Sequence, residues 1–480
     1  MDDQASPLFL SDPSRRHWDD YLSRELAAAH QRVSAGPVTP RLDLAAFRDE
    51  LASFDFQVPC PAEQLLSWTI AQMEHGIVHV THPRYFGLFN PAPTTPAQWA
   101  DRIAGTFNPQ LATWTTSSAA VEIEAHVIRA VIHRAGLPAR ATGHFTTGGA
   151  EANYTALICA LTRADPAFSV DGARAFRGRP VFYISRESHL AWLKIAHQAG
   201  IGRSAVRLIA TDGSGRMDPN ALAGAIAADR ASGCIPIMVV ATAGTTNAGM
   251  IDPLAACAEL ARTEGAWFHI DAAWGGAVIA SRKHKHVLAG IELADSVTID
   301  AHKWFATTMG CGMFLTAHGS ILSSAFAVST GYMPSNDRER DPYVLSLQWS
   351  RRFLGLRLFL SLALAGWNAY AHHVDRAIDL ADRLSAILAA RGWRIANRSS
   401  LAVLCIDPPP GAADVRTIVS KVLASGRGWI SAATFEGRDV IRACITHGET
   451  SLQDIETLVD ALAAAGDPVA LRSADENLSR

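Results

Sequence analysis

The stretch Trp267–Leu315 holds two residues that could do chemistry together. Asp271 ends one short apolar segment, and Lys303 follows the next one by a few residues. Ligands of an open α/β sheet bind at the carboxyl ends of parallel strands, so we expect both side chains at that edge. Apolar neighbours of the lysine, such as Trp304, disfavour a charged ammonium and favour the nucleophilic free amine. The alternative is a lysine that only extends from a strand end towards solvent.

Two further stretches predict a phosphate site at the same edge. Gly148 and Gly149 come directly before an amphipathic helix, whose first N–H groups and dipole attract an anion. The loop 241–249 follows an apolar segment and offers the hydroxyl groups of Thr245 and Thr246. Either stretch alone is more often only a turn. Combined with the lysine and the carboxylate, however, they supply the three attachments that pyridoxal phosphate needs.

The chain resembles the group II pyridoxal-phosphate-dependent decarboxylases, which include aromatic-L-amino-acid decarboxylase and have fold type I, the aspartate-aminotransferase-like fold. The resemblance runs from HPRYFGLFNP at 82–91 to GRDVIRACITH at 437–447, and its most specific motifs are DAAWGG at 271–276 and DAHKW at 300–304. It implies pyridoxal 5'-phosphate as cofactor, a small-molecule amino acid as substrate and a homodimer. The implied reaction removes the α-carboxylate as CO₂ and releases an amine, a carboxy-lyase activity of EC class 4.1.1.

The resemblance also implies roles for individual residues. Lys303 corresponds to the Schiff-base lysine, Asp271 to the partner of the pyridine nitrogen, and His189 to the histidine that stacks on the cofactor ring. Tyr332, in the charged loop 327–343, corresponds to the catalytic tyrosine of a mobile lid that returns a proton to the substrate carbon. These four residues are the predicted catalytic set. The predicted cofactor-binding residues are Gly149, Ala150, His189, Thr246, Asp271, His302 and Lys303. Many relatives have serine at position 150, so one hydroxyl to the phosphate is missing here.

Five other residues match positions of interest in relatives. Pro91 and Trp114 correspond to residues near the substrate pocket. Arg442 lies on an apolar strand, where it could pair with a buried carboxylate or contact substrate. Arg351 and Arg352 precede the C-terminal region, and the same two roles, structural or substrate-binding, remain open for them.

The side chain of the substrate and the final product also stay open. Aromatic amino acids (tyrosine, DOPA, tryptophan or phenylalanine) are expected on resemblance alone, and diamino or acidic amino acids are alternatives. Relatives with phenylalanine in place of Tyr332 tend to couple decarboxylation to oxidative deamination and release an aldehyde, so the tyrosine favours the amine. A nicotinamide-dependent oxidoreductase would need the glycines of AGIGRSA at 199–205, but a helical segment precedes them and a strand-like segment follows, the reverse of the dinucleotide-binding order. A catalytically silent relative is the last alternative.

Composition limits the classes of function. Lys and Arg number 43 against 46 Asp and Glu, and the net charge of −3 argues against binding to nucleic acid or to an anionic membrane. The 49% of hydrophobic residues suffices for a large core. The seven cysteines have neither CxxC pairs nor metal-ligand spacing, so we expect no metal and a reducing, cytoplasmic location. No export signal is visible, and the most apolar stretch, 356–367, contains an arginine and is too short to span a bilayer.

Alternating apolar segments and helices predict the architecture that positions the candidate residues. The expected strands are Val181–Ile184, Ile235–Ala241, Trp267–Ile270, Val297–Ile299 and Gly312–Leu315. A helix at 253–264, with Asp252 as N-cap and Gly265 after it, joins two of these strands into a βαβ unit. We therefore expect an α/β fold with a mostly parallel, seven-stranded type of sheet and helices on both faces. The expected domains are a helical, dimer-packing segment (1–95), a large cofactor-binding domain (96–352) and a small α+β domain (353–480).

Overall fold

The computed structural model describes residues 8–328, 331 and 341–467 of the 480-residue chain. The α-helices in these ranges are α1 Asp12–Ala35, α2 Leu44–Ala52, α3 Ala62–Gly76, α4 Thr95–Phe107, α5 Trp114–Ala135, α6 Gly149–Ala164, α7 Phe168–Asp171, α8 Ala191–Gln198, α9 Pro219–Ala231, α10 Leu254–Thr263, α11 Ser320–Phe326, α12 Leu356–Ala390, α13 Val415–Ser425 and α14 Leu452–Gly466. The β-strands are β1 Thr142–Thr146, β2 Pro180–Ser185, β3 Val206–Ile209, β4 Ile235–Thr242, β5 Trp267–Asp271, β6 Ser296–Asp300, β7 Gly312–Thr316, β8 Arg394–Ile395, β9 Val403–Asp407, β10 Ser431–Phe435 and β11 Arg438–Cys444. None of the helices in these ranges is long and apolar enough to cross a membrane.

The chain packs into two compact units. Among the described residues, the larger contains 87–328, 331, 341–410 and 431–448, and the smaller contains 8–86, 411–430 and 449–467. Within the smaller unit α1 packs on α3 and α13 on α14, and the main chains of Phe86 and Trp429 are hydrogen-bonded at 2.9 Å. The predicted division into three domains, at residues 95 and 352, stays a prediction.

Seven strands of the larger unit form one sheet in the order β1-β7-β6-β5-β4-β2-β3. The pairs among β2 to β6 are all parallel, and β7 runs antiparallel to both of its neighbours, β1 and β6. The five predicted strands are all present, with ends that differ by no more than two residues. The prediction of a mostly parallel sheet with seven strands is confirmed.

The central strands are apolar on both faces because helices cover both. Phe182, Met238 and Trp267 pack with α6 and α8 in one apolar cluster. Val239 and Ile270 lie outside that cluster and are equally buried, since α9 and α10 pack against β3, β4 and β5. A continuous apolar run is what a strand covered on two sides requires.

The expected cap of α10 is wrong. The helix begins at Leu254 after Pro253, and no side chain caps it. Asp252 instead accepts hydrogen bonds from the N–H groups of Met217 and Thr242, both at 2.7 Å, because those two donors are buried and need an acceptor. Burial raises the pKa of Asp252 to about 6.

The larger unit also contains a small antiparallel sheet, in the order β10-β11-β9-β8, and the long helix α12. The predicted helix at 352–390 starts later, at Leu356, and breaks at Gly366, whose φ is +70°. Its sides pack against α4 and α5.

The glycines at 200 and 202 lie between α8 and β3, so a helix precedes them and a strand follows, which confirms that they are not a dinucleotide-binding turn.

Candidate active site

Asp271 is the last residue of β5, at the carboxyl edge of the sheet, and only 5% of it is exposed. Its Oδ2 accepts a hydrogen bond from Asn153 Nδ2 at 2.8 Å, and its Oδ1 accepts one from the N–H of Ala273 at 3.2 Å. A buried carboxylate needs such donors to stay charged and in place. Asn153 was not predicted from the sequence, although it lies four residues after the predicted phosphate site.

Lys303 follows β6, the neighbouring strand, and its ammonium nitrogen lies 3.0 Å from Oδ2 of Asp300. Asp300 is the last residue of β6 and is 2% exposed, and its Oδ1 has no hydrogen-bond partner among the described residues. The apolar surroundings expected for Lys303 are therefore incomplete, because a buried carboxylate lies within ion-pair distance of its ammonium. Sequence reasoning missed Asp300, although it begins the DAHKW motif.

The turn that carries Lys303 is held in an unusual backbone conformation. Ala306 has a φ of +50°, in the left-handed region that costs a residue with a Cβ about 1 kcal/mol or more. The N–H of Ala306 donates to the carbonyl of Lys303 at 2.9 Å, and its own carbonyl accepts from the N–H of Thr94 at 2.7 Å. These bonds fix where the lysine side chain leaves the main chain.

Three aromatic rings stack beside the lysine. The rings of Trp274 and Trp304 are nearly parallel, with centroids 4.7 Å apart, and Phe89 stacks on Trp274 at 4.3 Å. The ammonium nitrogen of Lys303 lies 5.8 Å from the centroid of Phe89. The stack joins the DAAWGG and DAHKW motifs, so the ends of β5 and β6 are packed as one apolar wall.

The amino end of α6 is the predicted phosphate cradle, and that assignment stays a prediction. Gly148 precedes the helix, and no side chain caps it, so the first N–H groups at Gly149 and Ala150 are left for another acceptor. A Cβ at position 149 would lie 2.9 Å from Oδ2 of Asp300 and 3.4 Å from the Cβ of Ala273. Only glycine allows the helix end to approach β5 and β6 this closely.

Charged and titratable groups surround this cradle. The ring of His302 is buried, with Nδ1 2.9 Å from the carbonyl oxygen of Cys311, and its Cε1 would lie 3.4 Å from a Cβ at position 148. Lys303 balances the charge of Asp300, so the amino end of α6 and the ring of His302 remain to bind an anion. The cradle, the lysine and the buried acceptor Asp271 fit the phosphate, aldehyde and pyridine ends of pyridoxal phosphate.

His189 and Thr246 lie after neighbouring strands of the same sheet edge. His189 follows β2 and is exposed, and its Nδ1 accepts a hydrogen bond from the N–H of Ala191 at 3.1 Å. Its exposure excludes a core histidine. Thr246 follows β4 and is half-buried. The assignment of both to the cofactor stays a prediction.

Arg442, on β11, is 2% exposed and forms its hydrogen bonds with main-chain carbonyls rather than with a carboxylate. Nε donates to Thr246 at 2.8 Å, and Nη1 donates to Gly87 at 2.6 Å. Nη2 has no hydrogen-bond partner within the described part of the chain, and the guanidinium carbon lies 4.8 Å from the centroid of Phe89. Two cations, Arg442 and Lys303, therefore lie near the same ring.

The other residues named from the sequence differ in burial and in contacts. Pro91 is buried, three residues before the Thr94 that anchors the lysine turn. Trp114 begins α5 and donates from Nε1 to Glu122 at 3.0 Å. Arg351 is buried and pairs with Glu124 at 2.5 Å, which indicates a structural role. Arg352 is exposed. Tyr332 lies outside the described residues.

The conserved domain described as "Pyridoxal-dependent decarboxylase conserved domain" matches residues 50–405. Over 466 residues the chain is 28% identical to an aromatic-L-amino-acid decarboxylase of Bacillus atrophaeus, with 94% of this chain and 95% of the relative covered. Over 243 residues it is 38% identical to an L-2,4-diaminobutyrate decarboxylase of Rhizobium meliloti, with 51% and 47% covered. A crystal structure of Oryza sativa TDC with PLP and tryptamine matches the fold with a TM-score of 0.89 at 22% identity, over 96% of this chain and 99% of that one.

The chain belongs to the pyridoxal-dependent decarboxylase family. Its fold is that of the fold type I pyridoxal-phosphate enzymes, and its cofactor is pyridoxal phosphate. It is a pyridoxal-phosphate-dependent amino-acid decarboxylase, a carboxy-lyase. The resemblance noted in the sequence is thereby confirmed at the level of family, fold, cofactor and reaction class.

Gly149→Ala is expected to weaken cofactor binding at least tenfold. The added Cβ would press on the buried Asp300, which has no room to move away while it pairs with Lys303. Titration of the cofactor-free protein with pyridoxal phosphate, followed by visible absorbance, measures the dissociation constant. Gly224→Ala, in α9, is the matched control, because a Cβ there meets nothing within 4 Å. An unchanged dissociation constant for Gly149→Ala would contradict the proposed cradle.

Proposed function

We propose that the protein decarboxylates an aromatic L-amino acid and releases the corresponding amine and CO₂. The observation that carries this proposal is the ring of Phe89, 5.8 Å from the ammonium nitrogen of Lys303. Phe89 stacks on Trp274, which stacks on the buried Trp304, so the three rings form one apolar wall. Such a wall suits an aromatic side chain through ring contacts and apolar burial. The similarity to an aromatic-L-amino-acid decarboxylase along nearly the whole chain supports the same substrate class.

The residues that would hold the cofactor follow from their positions. The amino end of α6 at Gly149 and Ala150, with His302 nearby, would bind the phosphate, Asp271 the pyridine nitrogen and Lys303 the aldehyde carbon. His189 and Thr246 would contact the ring and the phosphate side. Bound pyridoxal phosphate supplies the electron sink that lets the bond to the α-carboxylate break.

The protein's own groups orient the substrate and handle its protons. Asp271, held by two hydrogen bonds, keeps a positive charge on the pyridine nitrogen favourable. Arg442 supplies a buried guanidinium whose Nη2 has no partner among the described residues and could donate to a substrate carboxylate. Asp300 holds the ammonium of Lys303 in an ion pair. Tyr332 would return a proton to the substrate carbon after CO₂ has left.

A diamino acid is the second candidate substrate, because the segment most similar to a diaminobutyrate decarboxylase covers about half of the chain. Such a substrate places a second ammonium in the pocket, and that charge needs a carboxylate partner. Asp300 is the buried carboxylate nearest to the lysine, and Lys303 already pairs with it. The aromatic class is therefore preferred.

A panel of L-amino acids tests the proposal, with CO₂, amine and peroxide assayed together. We expect the highest kcat/KM for tyrosine, DOPA, tryptophan or phenylalanine, with amine and CO₂ in equal amounts and no peroxide. Lys303→Ala is expected to abolish turnover and the visible band of the cofactor, whereas Lys194→Ala, an exposed lysine on α8, should leave both unchanged. A higher kcat/KM for 2,4-diaminobutyrate or for an acidic amino acid would refute the aromatic class. Stoichiometric peroxide would identify an aldehyde synthase instead.

We also propose that the protein is a homodimer. Trp99, Ile103 and Phe107 lie at successive turns of α4, and each is at least 43% exposed. The opposite side of α4 packs on α12. On and after α2, Leu44, Leu51, Phe56 and Val58 are also at least 49% exposed. Exposed apolar surface of this kind on helices is typical of an interface between identical chains.

Light scattering after size exclusion should give about twice the mass of the chain. Changing Trp99 and Phe107 together to glutamate should yield monomers at micromolar concentration, since both charges would enter the apolar contact. Val170→Glu, at an exposed apolar residue of α7, is the control and should stay dimeric. A monomeric wild-type protein would refute the dimer.

We further propose a cytoplasmic, reducing location. All seven cysteines are free in the structure, and five of them are buried. Seven reactive thiols per denatured chain, isolated without reductant, are expected. Fewer thiols would argue for an oxidising compartment.

A further inference from the structure

We infer that Asn153 and His269 are positioning residues, the last members of a buried chain of hydrogen-bond donors that orients Asp271 towards the cofactor. The chain consists of Trp267, Ser296, His269 and Asn153, and we call it the donor chain. The inference deepens the proposed function, because it rests on the role proposed for Asp271 at the pyridine nitrogen. No member of the donor chain belongs to the predicted site.

The contacts run without interruption from the core to the sheet edge. Trp267 Nε1 lies 2.8 Å from Ser296 Oγ, which lies 2.8 Å from His269 Nδ1. His269 Nε2 lies 3.1 Å from Asn153 Oδ1, and Asn153 Nδ2 lies 2.8 Å from Oδ2 of Asp271. All four side chains are at most 3% exposed, so water does not compete for these groups.

The two ends of the donor chain determine the direction of each hydrogen bond in it. Charged Asp271 can only accept, so Asn153 presents its NH₂ group to Asp271 and its carbonyl oxygen to His269. His269 Nε2 must then carry a proton, and the hydroxyl of Thr298, 3.4 Å away, shares it weakly. At the other end Trp267 can only donate, so it donates to the hydroxyl oxygen of Ser296.

The ring of His269 links these two ends in its neutral form. Burial lowers the pKa of His269 to about 4, so the ring is neutral at physiological pH and carries one proton, on Nε2. Nδ1 is therefore an acceptor and takes the hydroxyl proton of Ser296. Every member donates towards Asp271, and hydrogen bonds aligned in this way strengthen one another.

The position of Asn153 on α6 gives the donor chain its function. Gly149 and Ala150, at the start of the same helix, are the proposed phosphate contacts, and Asn153 follows them by about one turn. One rigid helix therefore sets both the phosphate position and the orientation of Asp271. With Oδ2 held by Asn153 and Oδ1 by Ala273, the carboxylate is fixed in the orientation in which it would meet the ring nitrogen of the bound cofactor.

Asn153→Leu and Ser296→Ala test the donor chain in the intact holoenzyme. Asn153→Leu removes the donor to a buried charge and should lower kcat by about 10- to 100-fold, the value of one charge-assisted hydrogen bond. KM should stay within about twofold, and the visible band of bound pyridoxal phosphate should shift or weaken. Ser296→Ala removes a group three hydrogen bonds away from Asp271 and should lower kcat in the same direction, by several fold. Because Ser296→Ala only deletes a hydroxyl, it tests the donor chain even if Asn153→Leu fails to fold.

Thr162→Val is the matched control, since Thr162 also places a buried hydroxyl on α6 but bonds only the carbonyl of Ile158 within the helix. Its kcat and spectrum should equal those of the wild type. Unchanged kcat and spectrum in Ser296→Ala and in any folded Asn153→Leu would overturn the donor chain, provided that Asp271→Asn impairs both. If Asp271→Asn itself leaves cofactor binding and turnover intact, the role proposed for Asp271 fails, and the inference fails with it.

Discussion

A carboxylate buried at the end of a strand is the feature on which this site depends. Asp271 is 5% exposed, and a charged group at that depth is stable only when hydrogen-bond donors surround it. One donor comes from the main chain just beyond β5, and the other comes from Asn153 on α6. The helix must therefore lie against the ends of β5 and β6, and that approach also brings its amino end, the phosphate cradle, to the same edge.

One pair of charges in the site is balanced before any ligand is considered, and two further charges are not. Asp300 neutralises Lys303, and the alignment of donors behind Asp271 leaves its negative charge facing the site. Arg442 is buried with only carbonyl partners for Nε and Nη1, so it leaves a positive charge near the same aromatic ring. Pyridoxal phosphate has a basic ring nitrogen and a phosphate, and its amino-acid substrate has a carboxylate. Together the two molecules match this distribution of charge.

Local sequence signals predicted the parts of the fold that periodicity and turn chemistry determine. The apolar runs at β2, β4, β5, β6 and β7 were recognisable because strands covered on both faces have no polar alternation. The strand β1, with sequence TGHFT, was not predicted, since it is short and half polar and forms only by pairing with β7. The helix α3 was also missed. Its sequence has neither a capping side chain nor a fully buried residue.

The residues of the candidate site fall into the same two groups, those that local sequence signals indicate and those that depend on long-range packing. Lys303, Asp271 and the glycines before α6 carry their chemistry in their residue types and their spacing, so sequence reasoning found them. Asn153 and His269 were missed because their partners are 116 and 118 residues away along the chain, and only the packing of α6 against β5 brings them together. The wrong cap at Asp252 has the same cause: the N–H of Met217, 35 residues earlier, is a nearer partner than the helix.

The most direct test of the account is to find which lysine carries the cofactor. Reduction of the holoenzyme with borohydride, followed by proteolysis and mass spectrometry, fixes the cofactor to its lysine and locates the modified peptide. The account predicts one pyridoxyl group per chain, on Lys303. Labelling of another lysine, or of several lysines at random, would contradict the claim that the edge formed by β5, β6 and α6 is the active site.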